Sequence, residues 1–194
     1  MAQARKTPSR KVYLMTAQDN ALETVSAKGR TISLREITDA DRNSLLEFAT
    51  LVPAHDLLFL NRDIRNSKVV EAWVGQSLNN QIYSLVAEEG ERIVGCVAMV
   101  GDELSWSAHV TNVRLLVAPD CRGLGVGRAL TQHCLGHARE QGVLKVSARM
   151  SPDQGGALHL FEELGFRPEA LLRNEVKDLD GNFHDIAVMA LDLN

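Results

Sequence analysis

A Val- and Leu-rich stretch from His109 to Val117 runs into Pro119-Asp120-Cys121-Arg122-Gly123-Leu124-Gly125-Val126-Gly127, and then into a segment with helical patterning that ends at Gly142. Three alternating glycines between a strand and a helix leave few ways to fold. Glycine lets the backbone take positive φ and approach a ligand closely. Successive N–H groups at the start of a helix, with the partial positive charge there, favour a phosphate. The spacing predicts a strand, a phosphate-cradling loop and a helix in that order. A simple tight turn would not need three glycines. A Walker A loop would need Gly-Lys-Ser/Thr where Arg128-Ala129 stands,. The dinucleotide fingerprint fails in both frames, because its last glycine would fall at Arg128 or Leu130,. ATP and NAD are therefore disfavoured as the phosphate ligand.

Around this loop the chain alternates strand and helix signals. Thr31 to Ile37 alternates apolar and polar residues, as a half-buried strand does. Thr38-Asp39-Ala40-Asp41 supplies a cap and an acidic first turn for a helix through Leu45, Leu46 and Ala49 that stops before Pro53,. A second helix carries Val69, Val70, Trp73 and Val74 and ends near Gly75,. Ile82 to Ala87 and Arg92 to Val100 read as strands joined at Glu89-Gly90,. After the helix that ends at Gly142, Val143 to Met150 is a strand. Ser151-Pro152-Asp153-Gln154 then reads as a helix start with Ser151 as the cap, opening a helix with Ala157, Leu158, Phe161 and Leu164 that Gly165 closes,. Leu171 to Leu179 and His184 to Leu193 flank the turn signal Asp180-Gly181,. The expected fold is α/β (α+β): a mixed, mostly antiparallel sheet of about seven strands, flanked by about four helices on both faces. Residues 1 to 28 are weakly patterned and are expected to be a flexible arm, or else a docking strand. The domain proper is expected over 29–194.

Bulk properties exclude several classes. The chain has 194 residues, 45% of them apolar, and a formal net charge of −4, so a nucleic-acid coat is not expected,. The longest apolar run, Ile93 to Gly101, is far short of the roughly 20 residues that span a bilayer,. Three scattered cysteines, Cys96, Cys121 and Cys134, fit reduced thiols better than a disulfide framework,. A soluble, cytoplasmic protein with no nucleic-acid or membrane partner is the expectation. Homodimerisation stays open.

The residues also carry a family resemblance. Leu115-Leu116-Val117-Ala118-Pro119-Asp120-Cys121-Arg122-Gly123-Leu124-Gly125-Val126-Gly127 resembles the acyl-CoA signature V-x-P-x-x-(R/Q)-x-x-G-x-(G/A) of the GNAT N-acetyltransferase superfamily. Ala157 through Leu160-Phe161-Glu162-Glu163-Leu164-Gly165-Phe166 resembles the A-x-x-L-Y-x-x-x-G-F stretch of the same superfamily. The resemblance covers roughly Arg30 to Asn194. It implies transfer of an acetyl group from acetyl-CoA, without a metal, to a primary amine on a small molecule or a protein. It further implies that the strand with Leu115, Leu116 and Val117 splays from its neighbour so that pantetheine pairs with the freed edge. The Val117 N–H would face the thioester carbonyl, and the stretch Arg122, Gly123, Leu124, Gly125, Val126, Gly127 and Arg128 would hold the pyrophosphate.

Three positions depart from the pattern. The superfamily's frequent Glu, five residues before the valine, is Asn112. Its Tyr is Phe161, and the helix-start Asn that often contacts pantetheine is Gln154. The catalytic set implied is thus Val117 and Asn112, with Gln154 and Phe161 beside the acyl donor. Proximity can supply about 7 to 11 kcal/mol of barrier and a general base only ~10²–10⁴-fold in rate, so an enzyme survives these changes. A non-catalytic acyl-CoA sensor is the alternative. Substitute bases are His109, Glu103 and His184-Asp185. His133 and His137 have the spacing of a metal pair, though a solvated helix face is the simpler reading. Cys121 borders a helix start that would lower a thiol pKa. Leu51 to Leu60 is expected to wall the acceptor site, with Asp56 or Asp63 able to attract a cationic amine.

Overall fold

The computed structural model describes residues 21–193. Eight strands form one sheet: β1 (Glu23–Ala27), β2 (Arg30–Glu36), β3 (Tyr83–Glu89), β4 (Arg92–Val100), β5 (Val110–Val117), β6 (Lys145–Met150), β7 (Arg167–Lys177) and β8 (Phe183–Asp192). Their spatial order is β1-β2-β3-β4-β5-β6-β8-β7, antiparallel throughout except for the parallel pair β5–β6. A parallel pair needs a crossover. Here the crossover carries α4 (Val126–Glu140). The other helices are α1 (Asp41–Leu51), α2 (Ala54–Leu57), α3 (Ser67–Leu78) and α5 (Gly155–Glu163). The mixed, mostly antiparallel sheet is as expected, with one strand and one short helix more.

The extra strand is β1. Its residues, assigned by their weak patterning to the arm, pair with β2 from Glu23↔Leu34 to Ala27↔Arg30. The hairpin turns at Lys28 and Gly29, both at positive φ. As an edge strand β1 shows water most of its side chains, so it lacks the apolar run that marks a buried strand,. Residues 1 to 20 lie outside the described residues. The short α2 falls within the segment expected to connect the first two helices, and α3 continues past Gly75 to Leu78.

One apolar core runs through the sheet. β3 and β4 are buried almost end to end, as befits central strands covered on both faces,. α4 buries Val126, Ala129, Leu130, Cys134, Leu135 and Ala138, a stripe at helical spacing,. It packs on β3, β4 and β5, while α1 packs on β4 and against α3. Among the described residues no helix is long and apolar enough to cross a membrane.

Candidate active site

β5 and β6 begin together and then part. Their pairing runs from Val110↔Lys145 to Val113↔Ala148 and stops. Beyond it β6 continues against β8 through Arg149↔Val188 and Met150↔Ala187, and β5 continues against β4 to Val117↔Gly95. Residues Arg114 to Val117 therefore have a partner strand on one side only. The ladder settles which groups face the gap. The Ala118 N–H bonds the Val94 carbonyl at 2.8 Å. Antiparallel neighbours alternate in direction, so the N–H and C=O of Val117 point away from β4 and into the gap. The Val117 carbonyl there accepts from Arg122 Nε at 3.3 Å.

A cavity of about 1010 Å³ fills this gap, lined by Asn112 to Val117, the glycine loop and the start of α5. At its far end Gly123 and Gly125 hold positive φ, +72° and +88°. Gly125 is the N-cap of α4 and offers no side chain to the first amides of that helix, which stay free for another acceptor,. Gly127 is small for a different reason. A Cβ there would sit 3.2 Å from Leu160 Cδ2 and 3.3 Å from Leu115 Cδ2. The loop's flanking apolar residues, Leu124 and Val126, are buried in the core, and these two expected binding residues are not among those lining the cavity.

The two loop arginines are already paired. Arg122 donates to Asp56 Oδ2 on α2, and Gln154 Nε2 donates to the other oxygen of the same carboxylate at 2.8 Å. Arg128 pairs with Glu163 on α5. Asp56 thus ties the glycine loop to the start of α5 across the mouth of the cavity. Gln154, not Ser151, is the N-cap of α5. Its side chain reaches back to the Ser151 N–H at 3.2 Å, because the turn Ser151–Gln154 closes before the helix begins.

Asn112 lines the cavity and its Oδ1 accepts from Ser147 Oγ at 2.7 Å. Phe161 also lines it but is buried, edge-on to Phe166 with centroids 4.9 Å apart. A phenyl ring has no proton to donate. Sequence reasoning passed over His55 of α2, whose Nε2 lies 3.1 Å from Asp153 Oδ1 at the cavity wall. The two residues are 98 positions apart, and no local pattern announces the pair.

Several sequence candidates are engaged elsewhere. His109 precedes β5 and is exposed; its carbonyl accepts from Leu144 and Lys145, and it does not line the cavity. Glu103 lies on the exposed 101–109 loop and reaches only a second, neighbouring cavity. Asp63 is bonded to Arg65, which holds its carboxyl below the usual range. His184 bonds Asp178 at 2.8 Å and Asp185 accepts from the Asn174 N–H, both within the last hairpin, while the His184 ring also packs edge-on against His55 at the cavity wall with centroids 5.4 Å apart. His133 bonds Glu23, whereas His137 stacks on Tyr83 at 3.8 Å. The expectation for Cys121 is reversed. Burial, with the Asp120 charge beside it, pushes its thiol up rather than down. Burial takes Cys96 and Cys134 up to about 12.

Comparison with known proteins bears on the same stretch. The profile of the Acetyltransferase (GNAT) family matches residues 51–166. The [Ribosomal protein bS18]-alanine N-acetyltransferase of Escherichia coli (strain K12) is 31% identical over 86 residues, covering 44% of this chain and 57% of the relative. N-acetyltransferase 8F1 of Rattus norvegicus is 38% identical over 84 residues, covering 42% and 38%. The chain thus matches about half the length of these relatives, or less. The yncA protein of Salmonella typhimurium, solved with its cofactor acetyl-CoA, superposes with a TM-score of 0.70 at 23% identity, covering 84% of this chain and 94% of that one. That likeness shows the fold, and the family profile spans the gap, the glycine loop and the helix that closes the cavity. This chain belongs to the acetyltransferase (GNAT) family.

Proposed function

We propose that this protein is an N-acetyltransferase that moves an acetyl group from acetyl-CoA to a primary amine by direct attack, with both substrates bound. The observation that carries the reading is the unpaired edge of β5, which ends at a glycine loop with free helix-start amides. An amide-bearing chain such as pantetheine adds to a strand edge as a peptide would. The residues present suit acetyl-CoA. Leu115, Leu116 and Val117 offer the edge. The amides of Arg122 to Arg128 suit the pyrophosphate, and Gln154 and the Phe161 ring border the arm between them. Acetyl-CoA supplies the acyl group as an activated thioester.

The chain's own residues do the rest. The Val117 N–H, turned into the gap, would meet negative charge developing on the carbonyl oxygen. Removing one such donor in other acyl-transfer sites costs about 10²–10³ in rate. Asn112 cannot take a proton, but its amide, fixed by Ser147, can orient a water that does,. The relatives support an amine acceptor, one of them being named for an alanine of ribosomal protein bS18.

The test is acetyl-CoA affinity by calorimetry together with CoA release, detected by mass, against a panel of amines. Gly125→Glu places charge and bulk at a backbone position with φ +88°. It should abolish measurable acetyl-CoA affinity. Unchanged affinity in that variant would refute the cradle. Binding with no release across the panel would favour the sensor, a reading to which Asn112 and Phe161 lend support.

A further inference from the structure

The cavity that runs along β5 has a neighbour of about 900 Å³, which extends along α3 and the 101–109 loop. The two share Leu60, Asn61, Arg114 and Leu116, so they meet on one face of β5. If the first takes the acyl donor, the second is the approach of the acceptor, and Arg114 stands at the junction. Side chains alternate along a strand, which puts Arg114 on the same face as Asn112 and opposite that of Leu115 and Val117. Arg114 and Val117 are about 10 Å apart along an extended strand. The arginine side chain and an acceptor the size of an amino acid cover that span together.

Arg114 is half-buried and its charge is unanswered. Of the arginines lining the two cavities, Arg122, Arg128 and Arg149 each bond a carboxylate. Arg62 and Arg114 make no ion pair among the described residues, although Asp102 and Glu103 line the same second cavity. The guanidinium makes no hydrogen bond among the described residues, yet none of its nitrogens is sealed from solvent, so it stays open to an incoming anion. Burial, then the charges of Arg62 and Arg149, push the Arg114 pKa below its ordinary value. Small neighbours leave room beside it, for its partner across the β4–β5 ladder is Ala98.

We propose that Arg114, assisted by Arg62, is an anion subsite for the acceptor, and that the amine acetylated here carries a carboxylate, as a free amino acid does. A planar guanidinium matches a carboxylate through two parallel N–H bonds. An ammonium group brought beside Arg114 and Arg62 would meet like charge. The inference rests on the acetyl-transfer reading and names its substrate class.

The experiment compares the twenty L-amino acids with their carboxamides, spermidine and an aminoglycoside, using CoA release detected by mass. A preference of at least tenfold in kcat/KM for a carboxylate-bearing amine over its carboxamide is expected. Arg114→Gln should erase that preference, mainly through KM, with acetyl-CoA affinity by calorimetry within about twofold of the parent. Arg114→Lys should restore part of it. Arg62→Gln, at an exposed position, should weaken it in the same direction. Equal turnover of acids and amides, selective turnover of spermidine or the aminoglycoside, or no turnover of any carboxylate-bearing amine by a protein that binds acetyl-CoA would overturn the subsite alone. A protein that fails to bind acetyl-CoA would fell the acetyl-transfer reading, and the subsite with it.

Discussion

Asp56 holds the position of greatest consequence at the mouth of the cavity. Its carboxylate is the shared acceptor for Arg122 and Gln154, two residues suited to the acyl donor. A pyrophosphate must compete with it for Arg122 and approach against its charge. One unit charge at about 4 Å in water is worth about 1 kcal/mol. Asp56→Asn is therefore expected to tighten acetyl-CoA binding about fivefold, with the gain shrinking as salt is raised. Calorimetry at low and high ionic strength checks this. Weaker binding by the variant would instead make Asp56 a positioning group for Gln154. None of this was legible locally. Asp56 stood out only as an acid in a candidate wall, and its two partners come from the loop before α4 and the start of α5.

At the scale of elements, a buried ion-pair cluster ties α1 to β2 and β3. Asp41, in the first turn of α1, accepts from both terminal nitrogens of Arg35 and from the N–H and hydroxyl of Thr38. Arg35 also bonds Glu88 of β3 at 2.7 Å. The side chains of Asp41 and Glu88 are only 5% and 9% exposed. Arg35→Ala would strand both carboxylates, and removing one partner of a buried pair costs about 3–5 kcal/mol. A urea midpoint unchanged by the substitution would show that water replaces the arginine freely. The pattern around Thr38 to Asp41 placed the start of α1 and its acidic first turn, but the expected cap is absent: Ala40 is the N-cap and no side chain caps the helix. The cross-strand partners of Arg35 depend on the β2–β3 register, in which Arg35 lies opposite Val86 and so beside Glu88 on one face. Strand β1 teaches the same lesson. Its Val25 Cγ1 would lie 3.7 Å from a Cβ on Gly125, so an edge strand concealed by its polarity backs the glycine loop.

The whole molecule should respond to acid through its paired carboxylates. Burial raises the Asp41 pKa, but the bonds from Arg35 and Thr38 outweigh it and hold the group below its ordinary value. Bonds from Arg92 draw Asp120, just before the glycine loop, down to about 2. His184 and Asn182 hold Asp178 low as well. A carboxyl whose pKa is lower folded than unfolded binds fewer protons in the native state, so stability rises with pH across that window. The contribution is complete above the unfolded value near 4 and is lost as pH falls toward 2. The urea midpoint should drop between about pH 5 and pH 2, and a midpoint that rose on acidification would contradict the assignment. The sequence by itself determined the order of elements from Arg30 onward apart from the short α2, the glycine loop between strand and helix, and the family motifs. Those rest on local periodicity, on glycines at positive φ and on helix starts, each written within a few neighbouring residues. Only the tertiary structure decided that β5 and β6 part after Val113, that Asp56 bridges Arg122 and Gln154, and that Arg114 faces two cavities without a counter-charge. These depend on strand pairing and on contacts between residues far apart in the chain, where a side chain's partner is set by packing rather than by its neighbours in sequence.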